Sequence, residues 1–237
     1  MINDFFFFYI KIMDTVFFLM LPILVVIMYF VMVRKNAFEE RLVLFRPTHH
    51  LPKKQEVYMK GVRKYRKYAN ITLMVIFYLP LCVFAVVMLK EGYQQMGRLY
   101  IPIPNDTKML ILLVIIPIVA VHYLISYVLK RNEKALRMLV EQMSDSDFDL
   151  LLKVKDSLPL SSKYNPPFVL CNKQLYIFIY VAIREIDPAK IIEMNWSIGK
   201  KGIFVRLKVP KKIVFTLPYK TFPYFLQIVE QYNPKLK

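Results

Sequence analysis

The sequence predicts a membrane α-helical protein with three transmembrane helices and a small cytoplasmic α+β domain, an antiparallel sheet followed by a C-terminal helix. Three observations carry this expectation. Thr15 to Val33, Ala69 to Leu89 and Met109 to Leu129 contain no Asp, Glu, Lys or Arg, and each approaches the ~20 residues that cross a hydrocarbon core as a helix. Cations crowd the stretch 34–68 and the residues just after Leu129. Beyond residue 165 continuous apolarity gives way to short β-prone alternation broken by turn residues.

The expected organisation is therefore a transmembrane region over 1–129 with a basic cytoplasmic loop at 34–68, juxtamembrane helices over 130–158, and a β-rich domain over 165–234. The chain has 237 residues, is 57% hydrophobic and 15% aromatic, yet carries a formal charge of +17, so greasy and cationic material must be segregated along it. Cys82 and Cys171 lie in such different contexts that a disulfide framework is not indicated.

Taking the spans in order, Met1 to Asp14 sets Asp4, Lys11 and Asp14 around the run Phe5 to Phe8 and lacks the basic n-region of a secretory signal. It reads as an uncleaved, reverse-oriented anchor. The loop between the first two spans holds Arg34, Lys35, Arg41, Arg46, Lys53, Lys54, Lys60, Arg63, Lys64, Arg66 and Lys67, against only Lys90, Arg98 and Lys108 in the second connection. The positive-inside rule makes the first loop cytoplasmic. Lys130, Arg131, Lys134 and Arg137 put the carboxyl terminus on the same side, leaving the amino terminus outside a bacterial cytoplasmic membrane.

Gln55 to Tyr68, rich in Lys, Arg and Tyr, reads as a cytoplasmic helix leading into the second span, with Tyr58, Tyr65 and Tyr68 suited to the headgroup zone. Its cations Arg63, Lys64, Arg66 and Lys67 serve either topology alone or an electrostatic clamp on anionic lipid, each worth about 1 kcal/mol. Each span carries one proline, Pro22, Pro80 and Pro117, placed about 10 to 14 Å below the outer boundary at 1.5 Å per residue. Kinks at one depth would open an external crevice; ordinary tolerance of proline in membrane helices is the plainer reading.

After Leu129, Ala135, Leu136, Leu139, Val140 and Met143 repeat at helical spacing, and Ser144 with Asp147 resembles a capping box opening a second short helix that ends before Pro159. Phe168 to Leu170 and Leu175 to Val181 flank a hairpin connection at Cys171 to Gln174, Ala182 to Ile186 extends the sheet, and Asp187-Pro188 turns the chain. Ile203 to Val209 and Ile213 to Leu217 alternate around Pro210-Lys211-Lys212 as a second hairpin. Thr221 is placed to cap a last helix whose Phe222, Phe225, Leu226 and Val229 form one apolar stripe.

This run of strands ending in one amphipathic helix, with Ile191 to Trp196 before the last hairpin, resembles the bacterial membrane-anchored pleckstrin-homology-like domain proteins over about Phe168 to Tyr232. The resemblance rests on strand order and the Pro218 to Gln227 transition and implies a PH-like sheet with a C-terminal helix.

For chemistry, His49, His50 and His122 form no metal-ligand spacing with Cys, Asp or Glu, and the chain holds no P-loop, dinucleotide fingerprint or nucleophile elbow. No catalytic residue, cofactor or metal is expected. His122 lies within a span with Ser126 one turn on and Asn70 entering the same half, which reads as an interhelical polar contact or, less simply, as proton handling. Lys200, Lys201, Arg206, Lys208, Lys211 and Lys212 gather around the second hairpin, as a surface for anionic lipid or an acidic protein, or as ordinary solvated strand edges. Nucleic acid is not an expected partner.

The leading function is a non-enzymatic envelope scaffold whose basic domain meets membrane lipids, a protein partner or a second copy. The alternative is an immunity protein against a pore-forming or envelope-directed toxin, recognising it through the external loop Lys90 to Lys108. A transporter or membrane-enzyme subunit ranks third.

Overall fold

A computed structural model describes residues 22–33, 35–47, 50–96, 105–179 and 182–236. The described helices are α1 (Pro22–Val33), α2 (Ala37–Leu44), α3 (Lys53–Met96), α4 (Asn105–Gln142), α5 (Asp145–Ser157) and α6 (Phe222–Tyr232). The strands are β1 (Phe168–Cys171), β2 (Gln174–Ile179), β3 (Ala182–Ile186), β4 (Glu193–Gly199), β5 (Gly202–Val209) and β6 (Lys211–Leu217). The chain divides into two compact units, Met1–Arg34 with Arg66–Leu129 and Lys35–Tyr65 with Lys130–Lys237.

The first unit corrects the expectation of three transmembrane helices. Among the described residues one helix, over Lys53–Lys90, is long and apolar enough to cross a membrane. The described part of the first run is the short helix α1, which ends in a π-helical turn at Tyr29–Val33; Phe5 to Phe8 and Thr15 lie outside the described residues. α4 is one continuous helix over Asn105–Gln142 in which Lys130, Arg131, Glu133 and Lys134 follow the apolar stretch, and it is not among the helices long and apolar enough to cross a membrane.

The common depth of three prolines lapses with the three spans. Pro22 opens the described part of α1, while α3 and α4 continue as helix on both sides of Pro80 and Pro117. Within this unit the Ser126 hydroxyl donates to Asn70 Oδ1 at 3.2 Å, joining α4 to α3.

The second unit corrects the single PH-like sheet. Its strands form two separate antiparallel sheets, β1-β2-β3 (sheet A) and β4-β5-β6 (sheet B). Sheet A is buried on both faces because its apolar residues do not follow a one-sided alternation. Val169, Cys171, Tyr176 and Ile183 pack with Phe38, Leu42, Tyr58, Leu136, Leu139 and Phe148 from α2 to α5. Phe168, Leu170, Leu175, Ile177 and Ile186 meet Ile203, Val205, Leu207, Phe215 and Leu217 of sheet B, and Phe225, Ile228 and Val229 of α6. Phe225 is fully buried, with ring centroids 5.4 Å from Phe168 and 5.5 Å from Phe215.

Local chemistry sets the turns. Asn172 and Lys173 take left-handed conformations at φ 51° and 64° between β1 and β2, the backbone of a tight two-residue hairpin. Asp187 accepts a hydrogen bond from the Ala189 amide at 3.0 Å and starts the 3₁₀ turn Pro188–Lys190 that leads the chain from sheet A to sheet B. Buried Asn233, at the end of α6, donates to the Ile191 carbonyl at 2.7 Å and so ties this crossover to the last helix. Gly61 makes room for the Tyr164 ring, which a Cβ there would meet at 2.2 Å.

Two expected caps differ in detail. The Ser144 hydroxyl accepts from the Asp147 amide at 3.2 Å, but the Asp147 carboxylate accepts from the Asn172 amide at 3.1 Å instead of completing a box. Thr221 makes no cap with its side chain; its hydroxyl donates to the Pro218 carbonyl at 2.9 Å.

Candidate functional site: the outer face and open end of sheet B

The period of two along a strand sends alternate residues of β5 to opposite faces. Ile203, Val205 and Leu207 enter the core; Phe204, Arg206 and Lys208 face outward. Cross-strand register then assembles the outer face row by row. Asn195, Arg206 and Val214 lie abreast, and the next row is Glu193, Lys208 and Lys212. The Arg206 guanidinium sits 5.3 Å from the centroid of the Phe204 ring. Glu193, Asn195, Arg206, Lys208, Pro210 and Lys212 line a shallow depression of about 470 Å³ on this face.

The six cations expected to form one patch are divided by the sheet. Arg206, Lys208 and Lys212 share the outer face. Lys200 and Lys201 occupy the β4–β5 turn, about 23 Å away along β5 from the β5–β6 turn at 3.3 Å per residue. Lys211 has the opposite parity to Lys212, and both line a groove of about 540 Å³ that also takes in Ile179, Arg184, Ile186 and Ile213.

At the Lys200-Lys201 end the surface is apolar as well as basic. Trp196 and Ile198 share the face of β4 that looks towards the core, yet they overhang its edge and are 51% and 80% exposed. The Trp196 ring lies 5.7 Å from Phe222, and the Tyr219 hydroxyl donates to the Gly199 carbonyl beside Ile198. β4 is an edge strand, and six of its seven residues are exposed. In the sequence, the period-two series Ile192, Met194, Trp196, Ile198 is the signal that marks this edge.

The remaining expected residues are dispersed. Arg63, Lys64 and Lys67 are exposed on α3 and Arg66 is half-buried. Tyr58 does not reach a headgroup zone: it is buried between Phe148 and Tyr164, each 5.9 Å away by ring centroids, and burial raises its pKa. His122 meets the rings of Tyr78 at 5.4 Å and Phe77 at 6.4 Å, while Ser126 turns to Asn70. His49 lies outside the described residues, as does the middle of the loop Lys90 to Lys108, residues 97–104. Cys171 is buried against Leu139, and burial pushes its thiol up to about 12. Among the described residues no three His, Cys, Asp or Glu side chains converge as a metal site.

The most elaborate polar cluster belongs to sheet A and was not foreseen. Asn36 and Glu39 form the capping box of α2, with the Glu39 amide donating to Asn36 Oδ1 at 2.9 Å and the Asn36 amide to Glu39 Oε2 at 3.3 Å. The same two side chains hold the outer edge of β3. Glu39 Oε1 accepts from the Ile183 amide at 3.2 Å, and Asn36 Nδ2 donates to the Ile183 carbonyl at 2.7 Å. Arg131 Nη1 meets Glu39 Oε1 at 3.3 Å, both side chains buried. Next to it, Arg41 pairs with Glu185, which also accepts from the Tyr176 hydroxyl at 2.9 Å. These side chains occupy the backbone N–H and C=O of Ile183 as a neighbouring strand would, which blunts this edge at that residue.

No family model, curated protein or solved structure matches the chain. The functional reading therefore rests on these residues.

Proposed function

We propose that this protein is a membrane-anchored, non-enzymatic binding protein: the apolar part of α3 holds it in the cytoplasmic membrane, and the outer face of sheet B receives an acidic protein partner on the cytoplasmic side. One observation carries the anchoring. The most apolar window of Lys53–Lys90 is 0% buried inside the molecule, with Ile71, Met74, Ile76, Leu79, Val83 and Val86 all exposed. A core helix of a soluble protein hides such a surface; a helix apolar all round and uncovered by protein calls for lipid. The excess of Lys and Arg on the amino-terminal side of this window supports the cytoplasmic placement of that side.

The binding role is supported by the row in which Lys208 and Lys212 lie directly opposite. Like charges abreast on a sheet oppose each other, an arrangement relieved when an anionic surface comes between them. Alkaline carbonate extraction of membranes tests the anchor: the chain is expected in the pellet, and release into the supernatant overturns the reading. A photo-crosslinking amino acid at Ser197, on the same outer face, tests the partner. A discrete protein adduct in cells is expected, lost on replacing Arg206, Lys208 and Lys212 with Gln while the chain stays in the membrane; an adduct indifferent to these replacements, or none, rejects the role.

A further inference from the structure

We infer that the β4–β5 end of sheet B is a lipid-inserting tip, in which Ile198 and Trp196 enter the interface of an anionic leaflet while Lys200, Lys201 and Lys220 bind its headgroups; this rests on the membrane anchoring proposed above. Trp196 and Ile198 are large apolar side chains with no need to be at the surface for the sheet's own sake, since Ile203 and Val205 opposite them in register are buried. Tyr219, 47% exposed, stands beside them with its hydroxyl on the Gly199 carbonyl.

The combination is specific in chemistry. Trp and Tyr suit the boundary between headgroup and chain, where an amphipathic ring keeps its polar atom wet. An isoleucine at the turn of a hairpin supplies the apolar wedge. Lys200, Lys201 and Lys220 are exposed and form no ion pair among the described residues, so their charge is available to phosphate or carboxylate headgroups within a Debye length. Lys200 and Lys201 occupy the β4–β5 turn, and Lys220 lies in the connection from β6 to α6. Gly199 and Gly202 are paired across the turn, and Gly202 at φ 150° lies so close to β6 that a Cβ would meet the Leu217 carbonyl oxygen at 2.4 Å. Lipid is favoured over a strand from a second copy because Ile198, the most exposed apolar residue of β4, lies next to Lys200 and Lys201 at the turn, whereas Glu193, Asn195 and Ser197 interrupt the apolar series along the edge.

Trp196 is the chain's one tryptophan, so its emission reports the tip directly. The full-length protein is placed in nanodiscs of phosphatidylcholine with and without phosphatidylglycerol, each also prepared with lipid brominated on the acyl chains. With phosphatidylglycerol, emission is expected to shift to the blue and bromolipid to remove about half of it or more, as contact at the headgroup–chain boundary requires. Ile198→Ser and the pair Lys200→Gln with Lys201→Gln are each expected to reverse most of this quenching, with circular dichroism unchanged. A chain that enters the discs but whose Trp196 ignores bromolipid and remains open to iodide overturns the tip while leaving the anchor intact. A blue shift that follows the number of chains per disc and not bromination assigns the edge to a second copy and likewise overturns it. A chain that fails to enter the discs overturns both.

Discussion

Sheets A and B are both three-stranded antiparallel meanders, yet they present opposite solutions to the problem of an exposed edge. Sheet A is a middle layer: β1 is buried along its whole length, and α2 seals the Ile183 edge of β3 with Asn36 and Glu39. Sheet B covers the core with one face only, and β4 leaves apolar Trp196 and Ile198 in the open. A chain that spends a buried ion pair and a capping box to close one edge, and nothing to close the other, separates the sheet that carries the fold from the sheet available for contact.

The sharpest way to break this contrast is to reopen the sealed edge. Glu39→Ala removes the buried partner of Arg131, the acceptor for the Ile183 amide and half of the α2 capping box. Losing one member of a buried pair costs about 3–5 kcal/mol, and thermal unfolding of the second unit, followed by circular dichroism in detergent, is expected at markedly lower temperature. Glu39→Gln, which keeps an oxygen for Ile183, is expected to recover part of the loss. An unchanged midpoint for Glu39→Ala would mean that the edge is not held by this cluster.

The local elements of this architecture were legible in the sequence because each rests on short-range pattern. The two hairpins follow from alternation and turn residues, the 3₁₀ turn from Asp187-Pro188, and α6 from the stripe Phe222, Phe225, Val229. The sealing of the β3 edge was not legible, because it depends on Asn36 and Glu39 meeting Ile183 at a separation of 147 and 144 residues. Nothing in the local sequence marks that Glu39 as buried. Of the three charge-free runs, only the one in α3 belongs, among the described residues, to a helix both long and apolar enough to cross a membrane. Of the candidate site, the cations were visible and their grouping was not, since parity and register decide that Lys208 and Lys212 share a face while Lys200 and Lys201 lie at the other end of β5.

Gly202 offers a smaller perturbation confined to sheet B. At φ 150°, with the Leu217 carbonyl oxygen 2.4 Å from any Cβ, an alanine strains the backbone by about 1–3 kcal/mol and pushes β5 from β6. Gly202→Ala is expected to lower stability by less than Glu39→Ala and to raise amide exchange in β4–β6 while sheet A stays protected. Equal exchange in both sheets would show that the two unfold as one unit through the Phe168, Phe215 and Phe225 cluster, and the contrast between them would then be one of surface and not of stability.

The smallest expected effect discriminates most finely between a face built for stability and one built for contact. Lys208 has Lys212 opposite it on one side and Glu193 on the other, and all three are exposed. Replacing a like-charge cross-strand pair with an opposite one is worth roughly 0.2–1 kcal/mol. Lys212→Glu is therefore expected to raise the unfolding midpoint slightly and to abolish the adduct formed from position 197, whereas Lys212→Gln should be near neutral for stability and weaken the adduct only in part. The stabilisation should shrink in high salt, because exposed charges are screened over about 8–10 Å at moderate ionic strength. Gain of stability together with loss of the adduct identifies Lys208 and Lys212 as a pair kept repulsive for what it binds. A Lys212→Glu chain that keeps its adduct unchanged would return these lysines to the role of solvated strand residues and leave the open edge of β4 as the contact surface of sheet B.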